Sequence, residues 1–584
     1  MKRHIQESYY VVGEGDLTFD GYRQPVCRPL SSASEVRRFR FSRLGPVGEP
    51  ASAELNRALA AAMTVEGRQP DSGTGAERAV PAGFTYLGQF VDHDLTKNVG
   101  DEAFGADIGV DALLQGRSPA LDLDSVYGRG PVDDARLYAA DGVSMRVGTT
   151  AAVPIDAGTN VDRDGFDLPR IGVGLTKAEE RAALIADDRN DENLAVGQTH
   201  LAFLRFHNRA VERLSASVPS TQLFERARGE VVRHYQWMLR HDYLPRIVDP
   251  AIVEDVFTHG RAFFEVADGA AYNGQGGAGR YCSAGTTPTM PIEFSVAAFR
   301  LGHSQIRGAY QWNRVFNSTP NAVGEPRRLG IATLFQLFTF SGVSGNLSPT
   351  ADLADLDDPN SGTFLRLPTN WISDWRRQFD FTPLGLPGLV APEATGGGNV
   401  TKRIDTLLVD PLAQLPTASF GRRDGEIAVD APERNLAFRN LVRGAMVRLA
   451  SGQQMAELFG AKKLTEAEIL TGDGTGAAVV DADGSDLDPT LREELVTRTP
   501  LWFYVLREAE LNGGRMGAVG GRIVAEVFHR AMEGSAVSIL REPDWRPSLG
   551  GRGDTFEMID LLLFAFGGAE GLNPLADAPP AEDV

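Results

Sequence analysis

Apolar residues recur along this chain at helical spacing, and the strict alternation that marks a half-buried strand is scarce. The longest example is NLAVGQTHLAFLRFHNRAVERLSA, residues 193–216, which sets Leu201, Leu204, Val211 and Leu214 on one broad face. Residues 175–187, LTKAEERAALIAD, open with a T-x-x-E pattern in which side chains and backbone cap each other. Residues 84–95, 222–248, 290–301, 331–341, 433–449 and 496–511 also read as helices. Gly-, Pro- and Asp-rich linkers separate them at 64–82, 98–118, 155–170, 265–290, 342–362, 383–400 and 471–490. The pattern predicts a mainly α fold with very little β structure, one large helical domain over 76–535 with long loops. Residues 1–75 read as an irregular, wrapping segment, and 536–584 as a C-terminal extension ending in a loose acidic tail. Unstructured loops of this length in a compact domain carry function or wrap its surface.

Charge and composition remove several classes of function. Asp and Glu outnumber Lys and Arg by 78 to 58, so nucleic acid and anionic membrane are disfavoured as partners. No run of about 18 apolar residues is present to span a membrane. Only Cys27 and Cys282 occur, too few for a disulfide framework. The opening MKRHIQESYYVVGEGD lacks the apolar core of a signal peptide, so a cytoplasmic location is the expectation.

Four segments hold polar groups where the pattern reads as core. In FTYLGQFVDHDL, residues 84–95, Gln89 and His93 lie four apart on one helical face and Asp92 borders it. Asp94 falls about 100° around the helix and must serve something else. SPALDLDSVYG, 118–128, alternates Asp122 and Asp124 with apolar residues and adds the Ser118 hydroxyl, which suits a flexible multi-oxygen Ca²⁺ site. In DDRNDENL, 187–194, Arg189 and Glu192 are three apart at a helix start and face one way. In IEFSVAAFRLGHSQI, 292–306, His303 ends an apolar helix after a Gly that opens space beside the ring, as in a core histidine or an axial ligand. Each has a bland reading: a satisfied core histidine, a solvated acidic loop, a surface ion pair. His200 and His207 read as core residues, and His4, His234, His241, His259 and His529 lack a partner pattern.

Taken in order, these segments resemble the animal-type haem peroxidases of the peroxidase–cyclooxygenase superfamily. GQFVDHDLT resembles the family's distal-histidine helix, LDLDSVYG its calcium loop, RNDEN with THLAFLRFHNR its catalytic-arginine segment, and FRLGHSQI its proximal-histidine helix. HDYLPRIV, 241–248, and ERNLAFRNLVRG, 433–444, are similar too, so six motifs in family order cover roughly 75–535.

The resemblance implies a haem b held by His303, with Asn440 accepting a hydrogen bond from its second ring nitrogen and Arg300 facing a haem propionate. It implies His93 as general base and then general acid toward hydrogen peroxide, Arg189 as the cation for the departing oxygen, and Gln89 ordering water or halide. Asp92 and Glu192 align with carboxylates that form ester links to haem. Residue 193 is Asn, so the sulfonium bond some members make from Met at that position is not expected. Calcium maps to Asp94, Ser118, the Ala120 carbonyl, Asp122 and Asp124, pinning the His93 helix. The implied reaction reduces hydrogen peroxide to water through a ferryl haem and oxidises a small organic or halide donor. A haem fatty-acid dioxygenase is the alternative, but the resembling members carry a tyrosine three residues before the proximal histidine, and here that residue is Arg300. A non-catalytic haem or calcium scaffold is the third reading; it has no use for His93 beside Arg189.

Overall fold

A computed structural model describes residues 39–64, 80–100, 102–266, 288–317, 330–347, 362, 364–386, 388–389, 399–415, 431–480 and 484–577, with the backbone alone of 10–11, 15–19 and 25–28. The architecture is mainly helical. Two helices form its centre: α2 (Gly83–Leu95) and α3 (Leu194–Leu214). They pack through Phe90 and Phe203, whose rings stack with centroids 4.5 Å apart and planes 8° apart. Both rings are fully buried, so truncating either to Ala costs about 3–5 kcal/mol. Asn193 starts α3 by accepting a hydrogen bond from the Val196 amide at 3.0 Å.

Around this pair lie α4 (Ser220–Met238), α6 (Leu436–Met446), α7 (Leu501–Leu511), α8 (Gly520–Gly534) and α9 (Met558–Phe566), the last packed along α3. Between α4 and α6 in sequence comes the short α5 (Gly302–Gln305), which carries His303. The strands are two to five residues long: Phe41–Ser42 pairs in parallel with Met290–Pro291, whereas Gly148–Thr149 pairs antiparallel with Asp164–Asp167 and Ala309–Tyr310 antiparallel with Ala332–Thr333.

Among the described residues the structure departs from the sequence pattern in several places. Residues 53–63, inside the segment expected to be irregular, form α1 (Ala53–Met63), capped by Ser52 and burying Leu55, Leu59 and Met63 against α6. Its apolar face wins over the irregular composition around it. The helix expected over 175–187 spans only Lys177–Arg181: the Thr176–Glu179 capping box forms, but Ala183 pairs with Arg170 and the chain runs on extended. Expected helix 290–301 is a π turn, Glu293–Ala297, then a 3-10 turn, Ala298–Leu301, broken at Ala297 (φ −130°, ψ −77°). Its start is anchored where Glu293 accepts the Leu44 and Gly45 amides at 2.8 and 3.1 Å. Beyond Met238, a π turn at Leu239–Tyr243 brings the Tyr243 hydroxyl against α2, so close that a Cβ at Gly88 would lie 2.3 Å from it. The tail over 578–584 and Cys282 lie outside the described residues.

Candidate functional site

α2, α5 and α6, with the turn before α3, enclose a cavity of about 820 Å³. Its lining joins six residues singled out in the sequence, Gln89, Asp92, His93, Glu192, Arg300 and His303, with Asn440 as a seventh. Tyr243, Arg439 and Arg443 also line it. That volume lies in the usual range for small-molecule and cofactor sites.

His93 sits on the last turn of α2 and is 4 % exposed. Its Nδ1 is 2.9 Å from the Asn190 side-chain Oδ1, and its Nε2 is 3.5 Å from Glu192 Oε1. Gln89 joins the same network: its amide donates to Glu192 and its carbonyl accepts from Asn193 at 3.0 Å. Asn193 therefore caps α3 with its oxygen and holds Gln89 with its nitrogen. Asp92 accepts from Thr96 at 3.2 Å and faces the cavity.

Arg189 is placed differently from the other expected residues. Its guanidinium donates to the His93 backbone carbonyl at 3.0 Å and to Asp187 at 2.7 and 3.0 Å, and it is not among the cavity-lining residues. Burial disfavours its charge, but Asp187 outweighs that and holds the guanidinium pKa above its ordinary value. Asp187, itself fully buried, also accepts from Arg117 at 2.7 Å and lies 3.5 Å from Lys97. Against the cost of burial, these three cations hold its carboxyl well below the usual range. Asp187 is thus the fixed anion beneath the His93 helix. A sequence reading misses it, because DDRNDEN looks like a charged surface turn.

Across the cavity, His303 is held neutral: burial, with Arg300 and Arg439 nearby, lowers its pKa to about 3. A neutral imidazole is the form that binds a metal. Beside it, a Cβ built on Gly302 would meet no atom of the described residues within 4 Å, which leaves an open wall next to the ring. Asn440 pairs with His303 as expected, but with the other polarity: its amide nitrogen is 2.9 Å from His303 Nδ1, while its oxygen accepts from Arg300 Nη1 at 2.9 Å. The reason is competition, since Arg300 has no acceptor role and takes the carbonyl. A histidine that ligates through Nε2 needs its proton on Nδ1, hence an acceptor there. For that, the Asn440 amide must turn and Arg300 must release it. With a neutral histidine beside an open wall, sharing a cavity of this size with a second histidine, the residues present fit a haem.

On the far side of α2, Asp94, Asp122 and Asp124 place ligand-type oxygens within 4.8 Å of one another. Asp94 is fully buried and accepts from Ser125 and Tyr235 at 3.0 and 3.3 Å. The Ser118 hydroxyl donates to Asp122 at 2.9 Å, and the Ala120 carbonyl accepts the Asp122 amide at 3.0 Å. Leu123 takes a left-handed backbone (φ 60°) to bring both loop carboxylates inward. Burial and mutual repulsion push Asp94 well up, and burial takes Asp124 to about 7. Asp124 Oδ1 is buried without a partner among the described residues. Three crowded carboxylates with an unmet acceptor fit a hard cation.

Residues 102–335 match the family model for animal haem peroxidase. No curated protein sequence matches the chain. Among solved structures, fatty acid alpha-dioxygenase from Arabidopsis thaliana is similar at 12 % identity, covering 94 % of this chain and 81 % of that one, with a TM-score of 0.54. Peroxidase A from Dictyostelium discoideum is similar at 15 % identity, covering 86 % and 88 %, with a TM-score of 0.48. At such identities the likeness is one of fold. The matched segment holds Asp122, Asp124, Arg189, Glu192 and His303, while His93 lies before it and Asn440 after it. Residues 102–335 thus carry an animal haem peroxidase domain by the family model, set in a chain whose fold resembles that of the alpha-dioxygenase.

Proposed function

We propose that the protein is a haem-dependent peroxidase that reduces hydrogen peroxide to water and oxidises a small organic or halide donor. The observation that carries this reading is that His93 and His303 line one cavity of about 820 Å³. Bound haem supplies the two-electron redox chemistry, and the protein supplies position, protons and charge. His303 would ligate the iron. Arg300 would face a haem carboxylate, and Asp92 and Glu192 stand on the cavity wall where ester links to haem would form.

The chain's own work is a proton transfer. His93 Nε2 takes the proton from one peroxide oxygen and returns it to the other, whose bond is breaking. Arg189 contributes a permanent charge. Its Asp187 clamp and its bond to the His93 carbonyl place that charge behind the histidine rather than on the cavity wall. It therefore acts on developing negative charge through the field at His93. Gln89, tied to Glu192 and Asn193, fixes the polar edge where water or halide would sit. A Ca²⁺ held by Asp94, Ser118, Ala120, Asp122 and Asp124 would lock the residue next to His93 and so the helix that aims it.

A fatty-acid dioxygenase reading draws no support from residue 300. Arg300 stands where the resembling dioxygenases carry a tyrosine, and its side chain is bound to Asn440 and to the Ser295 carbonyl. The test is an absorption spectrum of protein purified with haem, before and after hydrogen peroxide, followed by added donor. A Soret band that shifts with peroxide and returns with donor is expected. A band that peroxide leaves unchanged contradicts the proposal.

A further inference from the structure

His93 does not face its neighbours alone. Asn190 is fully buried in the 3-10 turn Asp188–Asp191, with its backbone amide bonded to the Asp187 carbonyl at 3.1 Å. Its side chain bridges two histidines: Oδ1 is 2.9 Å from His93 Nδ1, and Nδ2 is 3.0 Å from His200 Nδ1. An amide has one accepting and one donating end, so the bridge is directional. The donating end needs a bare nitrogen on His200, and the accepting end needs a proton on His93 Nδ1.

We propose that Asn190, backed by His200, is a positioning residue that fixes His93 as the tautomer protonated on Nδ1, leaving the Nε2 lone pair aimed into the cavity. The inference rests on the peroxidase reading, in which Nε2 is the base. Three observations support it. His200 is fully buried and packs edge-on against Phe90, with ring centroids 5.9 Å apart, so it cannot swing away. Burial lowers its pKa to about 3, so it stays neutral and its Nδ1 can accept. On the cavity side, the Glu192 oxygen nearest Nε2 stands at 3.5 Å and already accepts from Gln89, so it makes no competing hydrogen bond at normal length.

The test is ¹⁵N NMR of histidine-labelled full-length protein, both as purified and reconstituted with zinc protoporphyrin, a diamagnetic stand-in for haem. His93→Gln assigns the resonance. A protonated Nδ1 and a bare Nε2 are expected in the parent protein. Asn190→Leu should populate both tautomers, and Asn190→Asp, whose carboxylate still accepts, should restore the single one. In haem-loaded protein, Asn190→Leu should react about 10–100-fold more slowly with hydrogen peroxide, the usual loss when a histidine's orienting partner goes. A proton on Nε2 in the parent, or an unchanged tautomer in Asn190→Leu, overturns the proposal. The parent spectrum decides even if a variant fails to fold. A scrambled tautomer with an unchanged peroxide rate would instead contradict the role of His93 as base.

Discussion

Asn440 stands 2.9 Å from His303 and presents a donor to it, because Arg300 holds the other end of the amide. On the proposed reading, iron ligation by His303 and the seating of a haem carboxylate would be coupled: with Arg300 turned to the carboxylate, Asn440 would be free to accept from His303. His303→Ala should lose the Soret band or leave only a weakly held pigment. Asn440→Leu should keep the band but weaken haem affinity by about 10–100-fold. Haem titration by absorbance checks both, and unchanged affinity in both variants would remove His303 as the ligand.

The carboxylates beneath α2 should hold one Ca²⁺ that survives dialysis. Ligand binding to the folded state stabilises by about 2.7 kcal/mol at a hundredfold excess over Kd. Chelation should accordingly lower the melting temperature by a few degrees, and Asp122→Ala should abolish that difference. Elemental analysis that finds no calcium, together with a melting temperature indifferent to chelator, would contradict the site.

Much of the site was legible because its chemistry follows helical spacing. Gln89 and His93 share a face by being four apart, Asp94 points away by being next to His93, and His303 follows a glycine that leaves an open wall. What stayed hidden depends on contacts between distant segments. Asn190 and Asp187 look solvent-exposed in DDRNDEN, and only folding buries them, Asp187 against Arg117 and Lys97 and Asn190 against His200. The polarity of Asn440 hung on Arg300, 140 residues away. In the fold, the central helices were readable, while 290–301 was not: its apolar run carries no sign that Glu293 anchors it into a π turn.

Acid should destabilise the protein partly through His200. Its folded pKa of about 3 lies below its ordinary value of 6.5, so between those limits the unfolded chain binds the extra proton. The stability from keeping it neutral is fully present above pH 6.5 and is lost as pH falls toward 3. One such group contributes a slope of up to about 1.4 kcal/mol per pH unit. Urea unfolding of His200→Gln between pH 7 and 4.5 should show a shallower loss than the parent, and equal slopes would refute this assignment.

Asp92 and Glu192 line the cavity and should become linked to haem during peroxide turnover. Acid–acetone extraction should remove haem from fresh protein and leave part of it on the chain after turnover. Glu192→Gln should retain less, and the double variant Asp92→Asn, Glu192→Gln none. Complete extraction after turnover would exclude the links while leaving the peroxidase reaction intact.

The central claim is that His93 moves the peroxide proton while Arg189, clamped by Asp187, supplies fixed charge behind it. Loss of a general acid–base costs about 10²–10⁴ in rate, and loss of a charge-stabilising group about 10²–10³. Because both act on one transition state, the double variant should lose less than the sum of the two penalties. The most direct measurement is stopped-flow mixing of haem-loaded His93→Ala, Arg189→Leu and parent protein with hydrogen peroxide, following the Soret band across a range of concentrations. A His93→Ala reaction slowed at least about a hundredfold, with haem content unchanged, is the predicted result. A His93→Ala protein that reacts as fast as the parent would contradict the account.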